Sequence, residues 1–386
     1  MTTWVSGTRP SAPRAVGAPR RGLVLGGGGM LGAAWTVGAL CAVEEATGHR
    51  AGDAEVVLGT SAGAILGALL AAGVGADQLR DHQRGLPITS GPLAGVDFDY
   101  DTAVGGALPP RPRAGIGSPR LLRDAVRHPR EYPLLTLVSA MAPHGRGSLE
   151  PVGALVGGLF GGTEAAGATG LSGPTGETGE TGAAPTGPAP LGVAGRASAL
   201  RVVAVDYRSG HRVVFGDPDA PPAGVGEAVM ASCAIPGWFA PVRVGGADYV
   251  DGGCWSATNA DLLLDRGLDE VYVLAPMALW SDPPGRPQPG HSESVPGASG
   301  FARARRGRDL PRGVLAQVVG RYRRAVTRQL LREAGLLRAG GVRVHLLAPA
   351  PADLAVMGPN MMDASRRGPV LESALDTCRR VLEATR

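Results

Sequence analysis

The stretch Val56-Val-Leu-Gly-Thr-Ser-Ala-Gly63 decides the fold. Its apolar beginning predicts a short buried strand over Glu55–Leu58, and the small and aliphatic residues that follow predict a helix over Ala62–Ala72. Between the two stands a serine flanked by glycines, in the pattern Gly-x-Ser-x-Gly. When this pattern joins a strand to a helix, it forms a sharp turn that lifts the serine oxygen clear of the backbone. The stretch therefore predicts a nucleophilic Ser61.

The same arrangement precedes this stretch. Gly22–Leu25 is apolar enough for a strand, glycines follow at 26–29, and Leu31–Thr47 has apolar residues at helical spacing. The chain thus opens with strand, helix, strand and helix, an order typical of a parallel sheet covered by helices. The predicted fold class is α/β.

The glycine run exposes consecutive backbone N–H groups at the start of a helix, a geometry that can bind an anion. In acyl transfer that anion is the oxyanion of the tetrahedral intermediate, so the amides of Gly27, Gly28 and Gly29 are the predicted donors. A tight turn without chemical function is the alternative. Gly27-x-Gly29-x-x-Gly32 also matches the dinucleotide-binding fingerprint, but that motif needs an acidic residue at the end of the next strand. The nearest acidic residues precede that strand, so no cofactor is predicted.

The second half of the chain contains further strand and helix patterns. The predicted elements are a hairpin over Arg201–Tyr207 and His211–Phe215, a helix over Val225–Ser232, strands that end at Asp251 and Leu274, and a long helix over Pro311–Arg338. Asp251 is followed by Gly252 and Gly253, which allow close approach of the backbone. By itself such an aspartate is more typical of a turn cap.

Taken together, these motifs resemble the patatin-like phospholipases. The resemblance spans roughly Gly22–Leu264 and is carried by Gly27-x-Gly29-x-x-Gly32, Gly59-x-Ser61-x-Gly63, Asp251-Gly252-Gly253, Ala231-Ser-Cys-Ala-Ile-Pro236 and Asn259-Ala-Asp261. Each motif is weak alone, but their order is that of the family. The resemblance implies a three-layer α/β/α sandwich with a mainly parallel central sheet.

The resemblance also implies a function. Ser61 is then the nucleophile, Asp251 its base, and the amides of Gly27, Gly28 and Gly29 the oxyanion hole, with a phospholipid or another fatty acyl ester as substrate and with neither cofactor nor metal. Because an aspartate in water has a pKa of about 3.9, the role of base requires burial that raises it. One position departs from the family pattern: Leu31 stands where the family usually has arginine or lysine.

Two other functions remain open. An α/β-hydrolase would use Ser61, Asp251 and a later histidine, either His291 or His345, as a triad. A non-catalytic scaffold of the same fold would bind anionic lipid through arginines of the long helix, namely Arg321, Arg324, Arg328 and Arg332.

Composition narrows the partners and the compartment. The net charge is only +4 over 386 residues and the arginines are scattered, so no nucleic-acid partner is predicted. Four cysteines without a C-x-x-C pair, and no apolar signal segment, indicate a reduced cytoplasmic protein, with peripheral membrane association left open. Residues 56–76 are apolar over the length of a membrane span, but strand, turn and helix fit them better.

The chain divides into three parts by composition. Residues 1–21 are predicted to be a disordered leader, and residues 22–264 the catalytic domain, with a flexible Gly/Thr/Pro insertion at about 164–194. Residues 265–386 are predicted to supply strands and helices that complete or flank the same domain.

Overall fold

A computed structural model of the chain describes residues 19–96, 110–165, 191, 198–279 and 314–384. Within these ranges eight strands form one sheet. They are β1 (Arg21–Leu25), β2 (Val56–Thr60), β3 (Leu200–Asp206), β4 (Arg212–Phe215), β5 (Val242–Val244), β6 (Ala247–Asp251), β7 (Glu270–Leu274) and β8 (Arg343–Leu347). Their order is β5-β6-β3-β2-β1-β7-β8, and β4 also pairs with β3.

Ten α-helices lie in the same ranges. They are α1 (Gly29–Thr47), α2 (Ala62–Ala71), α3 (Ala76–Gln83), α4 (Pro119–Arg127), α5 (Leu134–Met141), α6 (Glu150–Ala165), α7 (Val225–Cys233), α8 (Val314–Ala339), α9 (Pro351–Met357) and α10 (Arg367–Glu383). Short 3₁₀ turns follow β6 at Gly252–Cys254 and Ala260–Leu263. None of the helices in the described ranges has both the length and the apolar character needed to cross a bilayer.

The central strands are parallel. Strands β8, β7, β1, β2 and β3 run in one direction, whereas β4 and β6 pair antiparallel with β3, and β5 pairs antiparallel with β6. The carboxyl ends of the five parallel strands therefore meet at one edge, where binding sites of such sheets form. The α/β prediction and the expected hairpin of β3 and β4 are confirmed.

Helices cover both faces of the sheet, because side chains alternate between the faces along each strand. In β1, Leu23 and Leu25 pack into the larger core with α1, α2 and α10, while Val24 packs into a second core with α8. The three-layer α/β/α architecture follows. Helix α1 is buried nearly all round, rather than on one face as its periodicity predicts, because α10 crosses it so closely that a Cβ on Gly38 would overlap the backbone of Leu371.

Three boundaries differ from the sequence prediction. Arg21, assigned to the leader, begins β1, and Arg20 pairs with Glu55, so these residues are held in place. Strand β2 continues to Thr60 because its pairing with β3 continues. At the expected insertion, α6 extends to Ala165 and Leu191 is buried in the larger core. The leader at 1–18, the rest of the insertion, His291 and the arginine-rich 303–312 lie outside the described residues.

Candidate active site

Ser61 stands alone between β2 and α2, at the carboxyl edge of the sheet. Its backbone has φ 54° and ψ −125°, a conformation that is costly for a residue with a side chain. The turn is held by Ser232, whose hydroxyl accepts from the Ser61 N–H at 2.9 Å and donates to the Val203 carbonyl at 2.6 Å. The side chain of Ser61 is 7% exposed and lines a cavity.

The glycines around Ser61 are required by space. A Cβ on Gly63 would overlap the carbonyl oxygen of Leu25, and one on Gly59 would lie 2.6 Å from the Cα of Ala64. These absent side chains let α2 begin directly against the ends of β1 and β2. The free N–H groups and the positive dipole of the first turn of α2 then lie beside Ser61.

Strand β3 brings Asp251 to Ser61. Thr60 pairs with Val203 of β3, and Asp251 of β6 pairs with the next residue, Ala204. Asp251 is 5% exposed, and its carboxylate lies near enough to the Ser61 side chain for the serine to lower its pKa. Its carboxylate also accepts from the N–H of Gly253 at 2.7 Å. A Cβ on Gly252 would lie 2.5 Å from the Val203 carbonyl oxygen, so the turn after Asp251 needs a glycine there.

Burial raises the pKa of Asp251 from 3.8 to about 6, and the nearby Ser61 side chain and the N–H of Gly253 limit that rise. Desolvation penalises the charged form, whereas donors that point at the carboxylate favour it. The balance leaves Asp251 ionised at neutral pH and yet about two units more basic than an exposed aspartate. Such a value suits a group that takes up and releases a proton near pH 7.

Asn259 ties the loop after Asp251 to the turn before Ser61. It has a left-handed backbone, φ 54°, and its amide donates to the Thr60 hydroxyl at 3.1 Å, to the Gly252 carbonyl at 3.4 Å and to the Ser256 carbonyl at 2.7 Å. From α8, the buried carboxylate of Glu333 accepts from Thr258 and Ala260 of the same loop. Both halves of the serine–aspartate pair are therefore held from more than one element.

The glycine loop differs from the prediction at one donor. The Gly27 N–H donates to the Ala257 carbonyl at 2.8 Å, so it is not available to a ligand. In the described residues, the amides of Gly28, Gly29 and Met30 have no backbone acceptor. Gly27 packs against Ser61 instead, since a Cβ there would lie 3.1 Å from the Ser61 Cβ. Gly29 has φ 60° and lines the same cavity as Ser61.

Leu31 occupies a core position, fully buried, with its N–H bonded to the Met361 carbonyl at 2.9 Å. A buried cation near the loop is Arg323 of α8. Its guanidinium donates to the carbonyls of Pro276 and Ala278, and burial lowers its pKa to about 10. The ring of Pro276 lies against the backbone of the glycine loop.

The cavity beside Ser61 has a volume of about 100 Å³ and an almost wholly apolar wall. It runs along one face of α2, formed by Ala62, Ile65, Leu66 and Leu69, and reaches α3 at Leu79, His82 and Gln83. From Ser61 to Leu69 this face is ~12 Å long, because a helix rises 1.5 Å per residue. Cys233, whose thiol lies near Ser61, forms part of the wall. The cavity fits a hydrocarbon chain whose end lies at Ser61.

His345 does not belong to this site. It lies on β8, three strands from β2, which corresponds to ~14 Å at the usual strand spacing. Its ring stacks on Tyr272, with centroids 4.5 Å apart, and faces Glu270. A triad of Ser61, Asp251 and His345 is therefore ruled out by distance.

The structure brings together Ser61, Asp251 and their glycines, which the sequence predicts as site residues. The supporting contacts made by Ser232, Asn259 and Glu333 could not be predicted from the sequence. Ser232 and Asn259 stand in stretches that carry the family resemblance, which was a signal for their positions but not for their contacts. Within the described residues, no three His, Cys, Asp or Glu side chains come together as a metal site.

The fold and the site define an α/β protein with a buried serine–aspartate pair at the carboxyl edge of a mixed sheet. A family model described as "Patatin-like phospholipase" matches residues 23–264, more than half of the chain, and the chain belongs to this family. Membership supports lipid acyl hydrolysis as its general activity. VipD from Legionella pneumophila is a structural relative with 17% identity and a TM-score of 0.42, over 95% of this chain and 67% of VipD. No curated protein sequence matches the chain.

Proposed function

We propose that this protein hydrolyses fatty acyl esters of lipids, of the phospholipase A or esterase type, with Ser61 as nucleophile and Asp251 as its base. The observation that carries the proposal is the close approach of these two buried side chains, which adjacent strands bring together at the end of an apolar cavity. A serine is a weak nucleophile until a base accepts its proton. Asp251, with a pKa of about 6, is such a base.

In the first half of the reaction, Ser61 Oγ attacks the acyl carbonyl carbon and its proton passes to Asp251. The carbonyl oxygen becomes an oxyanion, and we assign the amides of Gly28 and Gly29 as its donors, because the Gly27 amide is already bonded. When the tetrahedral intermediate collapses, the ester bond breaks and Asp251 returns the proton to the alcohol that leaves. The acyl group is then bonded to Ser61.

In the second half, a water molecule attacks this acyl-enzyme while Asp251 takes a proton from it. Collapse of the second tetrahedral intermediate releases the fatty acid and returns the proton to Ser61 Oγ. The apolar cavity along α2 holds the acyl chain during both steps and keeps bulk water away from it. The ~12 Å of α2 that lines the cavity from Ser61 gives the direction in which the acyl chain lies.

The test is hydrolysis of a panel of p-nitrophenyl esters and phospholipids by wild type, Ser61→Ala and Asp251→Asn. We expect each substitution to lower turnover by roughly 10⁴-fold, as loss of a nucleophile or its base does. Ser90→Ala and Asp248→Asn, on the surface, serve as matched controls and should retain full activity. A fluorophosphonate probe should label Ser61, and labelling of another serine in active protein would contradict the proposal.

A non-catalytic scaffold is the second candidate function. It has less support, because the strained turn at Ser61 and the buried carboxylate of Asp251 both destabilise the fold. A scaffold that only binds lipid requires neither feature. Folded wild-type protein that binds lipid but hydrolyses no ester in the panel would favour the scaffold.

A further inference from the structure

A hairpin of two short helices covers the carboxyl edge of the sheet next to the active site. Helices α4 and α5 are antiparallel, because the Ser118 N–H at the start of α4 donates to the Ala140 carbonyl near the end of α5 at 3.0 Å. The inner side of the hairpin is anchored. The Thr136 hydroxyl donates to the Cys254 carbonyl at 2.8 Å, three residues after Asp251, and the Tyr207 hydroxyl donates to the Ser139 carbonyl.

The outer side of this hairpin is apolar and exposed. In the described part of the chain seven large hydrophobic side chains are strongly exposed, and five of them lie here: Ile116, Val126, Leu134, Val138 and Met141. The last three stand four and three residues apart on α5 and so share one face of that helix. Leu134 is 74% exposed, and Ile116 is close to Met141 because of the hydrogen bond that joins the helix ends. A contiguous apolar patch of this kind marks an interaction surface.

Positive charge surrounds the patch. Residues 110–133 contain six exposed arginines, at 111, 113, 120, 123, 127 and 130, against Asp124 and Glu131, which gives 6 − 2 = +4. This equals the net charge of the whole chain, so the charges elsewhere balance. Among the described residues none of the six arginines takes part in an ion pair. All six are exposed, so an external anion can reach them.

We propose that the outer face of the α4–α5 hairpin docks on an anionic lipid surface. An apolar helix face flanked by arginines is the composition that inserts at the boundary between headgroups and acyl chains. A protein partner would need acidic residues beside an apolar groove of matching shape. An anionic bilayer provides negative charge in its headgroups and an apolar phase below them, without any matching shape. The inference rests on the proposed function for its purpose, since docking here places a lipid surface beside Ser61.

The proposal can be tested without catalysis. In a Ser61→Ala background, sedimentation with vesicles should show binding to phosphatidylglycerol-containing vesicles, weaker binding to neutral phosphatidylcholine, and loss of binding at high salt. Leu134→Ser with Val138→Ser should weaken binding roughly tenfold or more. Arg123→Gln with Arg127→Gln should weaken it by about fivefold per arginine.

Helix α8 provides matched controls. Leu336→Ser removes a side chain that is 52% exposed, and Arg324→Gln with Arg328→Gln removes two exposed arginines that the scaffold alternative assigns to lipid binding. Docking through the hairpin predicts that none of these substitutions changes vesicle binding. In otherwise wild-type protein, every variant should keep its hydrolysis of a water-soluble short-chain ester, which also shows that it is folded. Absence of such hydrolysis in the wild type contradicts the proposed function but not the docking surface.

Three results would overturn the docking proposal. The first is no binding to anionic vesicles, and the second is equal loss of binding in the hairpin variants and the α8 variants. The third is a change of oligomeric state in the hairpin variants with vesicle binding intact, which would make the patch an interface between copies of the chain.

Discussion

Replacing Asp251 by asparagine should inactivate the protein and also change how its stability depends on pH. Burial raises the pKa of this carboxyl group from 3.8 to about 6 in the folded chain. Between these two values the folded state holds a proton that the unfolded state has released. The free energy of unfolding therefore falls as pH rises through this window. A shift of about two units corresponds to about 3 kcal/mol of stability lost between pH 4 and pH 7.

Asparagine cannot ionise, so Asp251→Asn should not show this loss. At pH 4 the variant should be as stable as wild type or slightly less, because its amide N–H group needs an acceptor and an unmade hydrogen bond costs about 1 kcal/mol. At pH 8 it should be the more stable protein. The difference in unfolding free energy between variant and wild type should then increase by about 3 kcal/mol from pH 4 to pH 8.

The measurement is urea or thermal unfolding of both proteins, followed by circular dichroism at several pH values. Asp248→Asn makes the same chemical change at an exposed position of the same strand and serves as the control. Parallel stability profiles for wild type and Asp251→Asn over the whole range would show that Asp251 is not held at a raised pKa. Asp251 would then lack the basicity that the proposed role requires.

Three further results are expected. The kcat/KM of ester hydrolysis should rise with pH through about 6 and then level off, because Asp251 must be ionised to accept a proton; a flat profile would exclude it as the base. Gly63→Ala should prevent stable folding because its Cβ overlaps the Leu25 carbonyl, whereas Gly157→Ala, with open space in α6, should stabilise by about 0.5–1 kcal/mol. Folded His345→Ala should keep activity within about tenfold of wild type, and an inactive one would reinstate a histidine in the mechanism.

Much of the fold could be predicted because the local sequence patterns indicate the same strands and helices that the sheet and its covering layers contain. A strand pattern, a glycine turn and a helix pattern occur in that order at Gly22–Thr47 and again at Glu55–Ala72, and each set predicts a βα unit. Two such units in succession predict a parallel sheet. Ser61 was predictable for the same reason, since its neighbours must be small for the turn to form. Errors of a few residues at β1, β2 and α6 arose where tertiary pairing extends an element beyond its own sequence signal.

The parts that could not be predicted depend on distant contacts. Nothing around Gly27 indicates that its amide is bonded to Ala257, which lies 230 residues later in the chain. The cavity wall is likewise assembled from α2, α3 and α6, and its shape exists only after they pack. The α4–α5 hairpin has short helices among prolines and glycines, so its periodicity is too brief to predict a helix from sequence.

Two features of the site lower the free energy of unfolding, and contacts elsewhere in the fold must offset both. Ser61 holds a strained backbone, which typically costs of order 1–3 kcal/mol, and Asp251 is a carboxylate kept away from water. Both conformations are held by contacts from other elements, including Ser232 on α7 and Asn259 after β6. In the proposed mechanism the same features make the serine reactive and the aspartate basic, so relief of either cost should stabilise the fold and abolish the reaction. A substitution in this pair that raises the stability of the fold and also abolishes activity would therefore show that the pair is reactive and not merely structural.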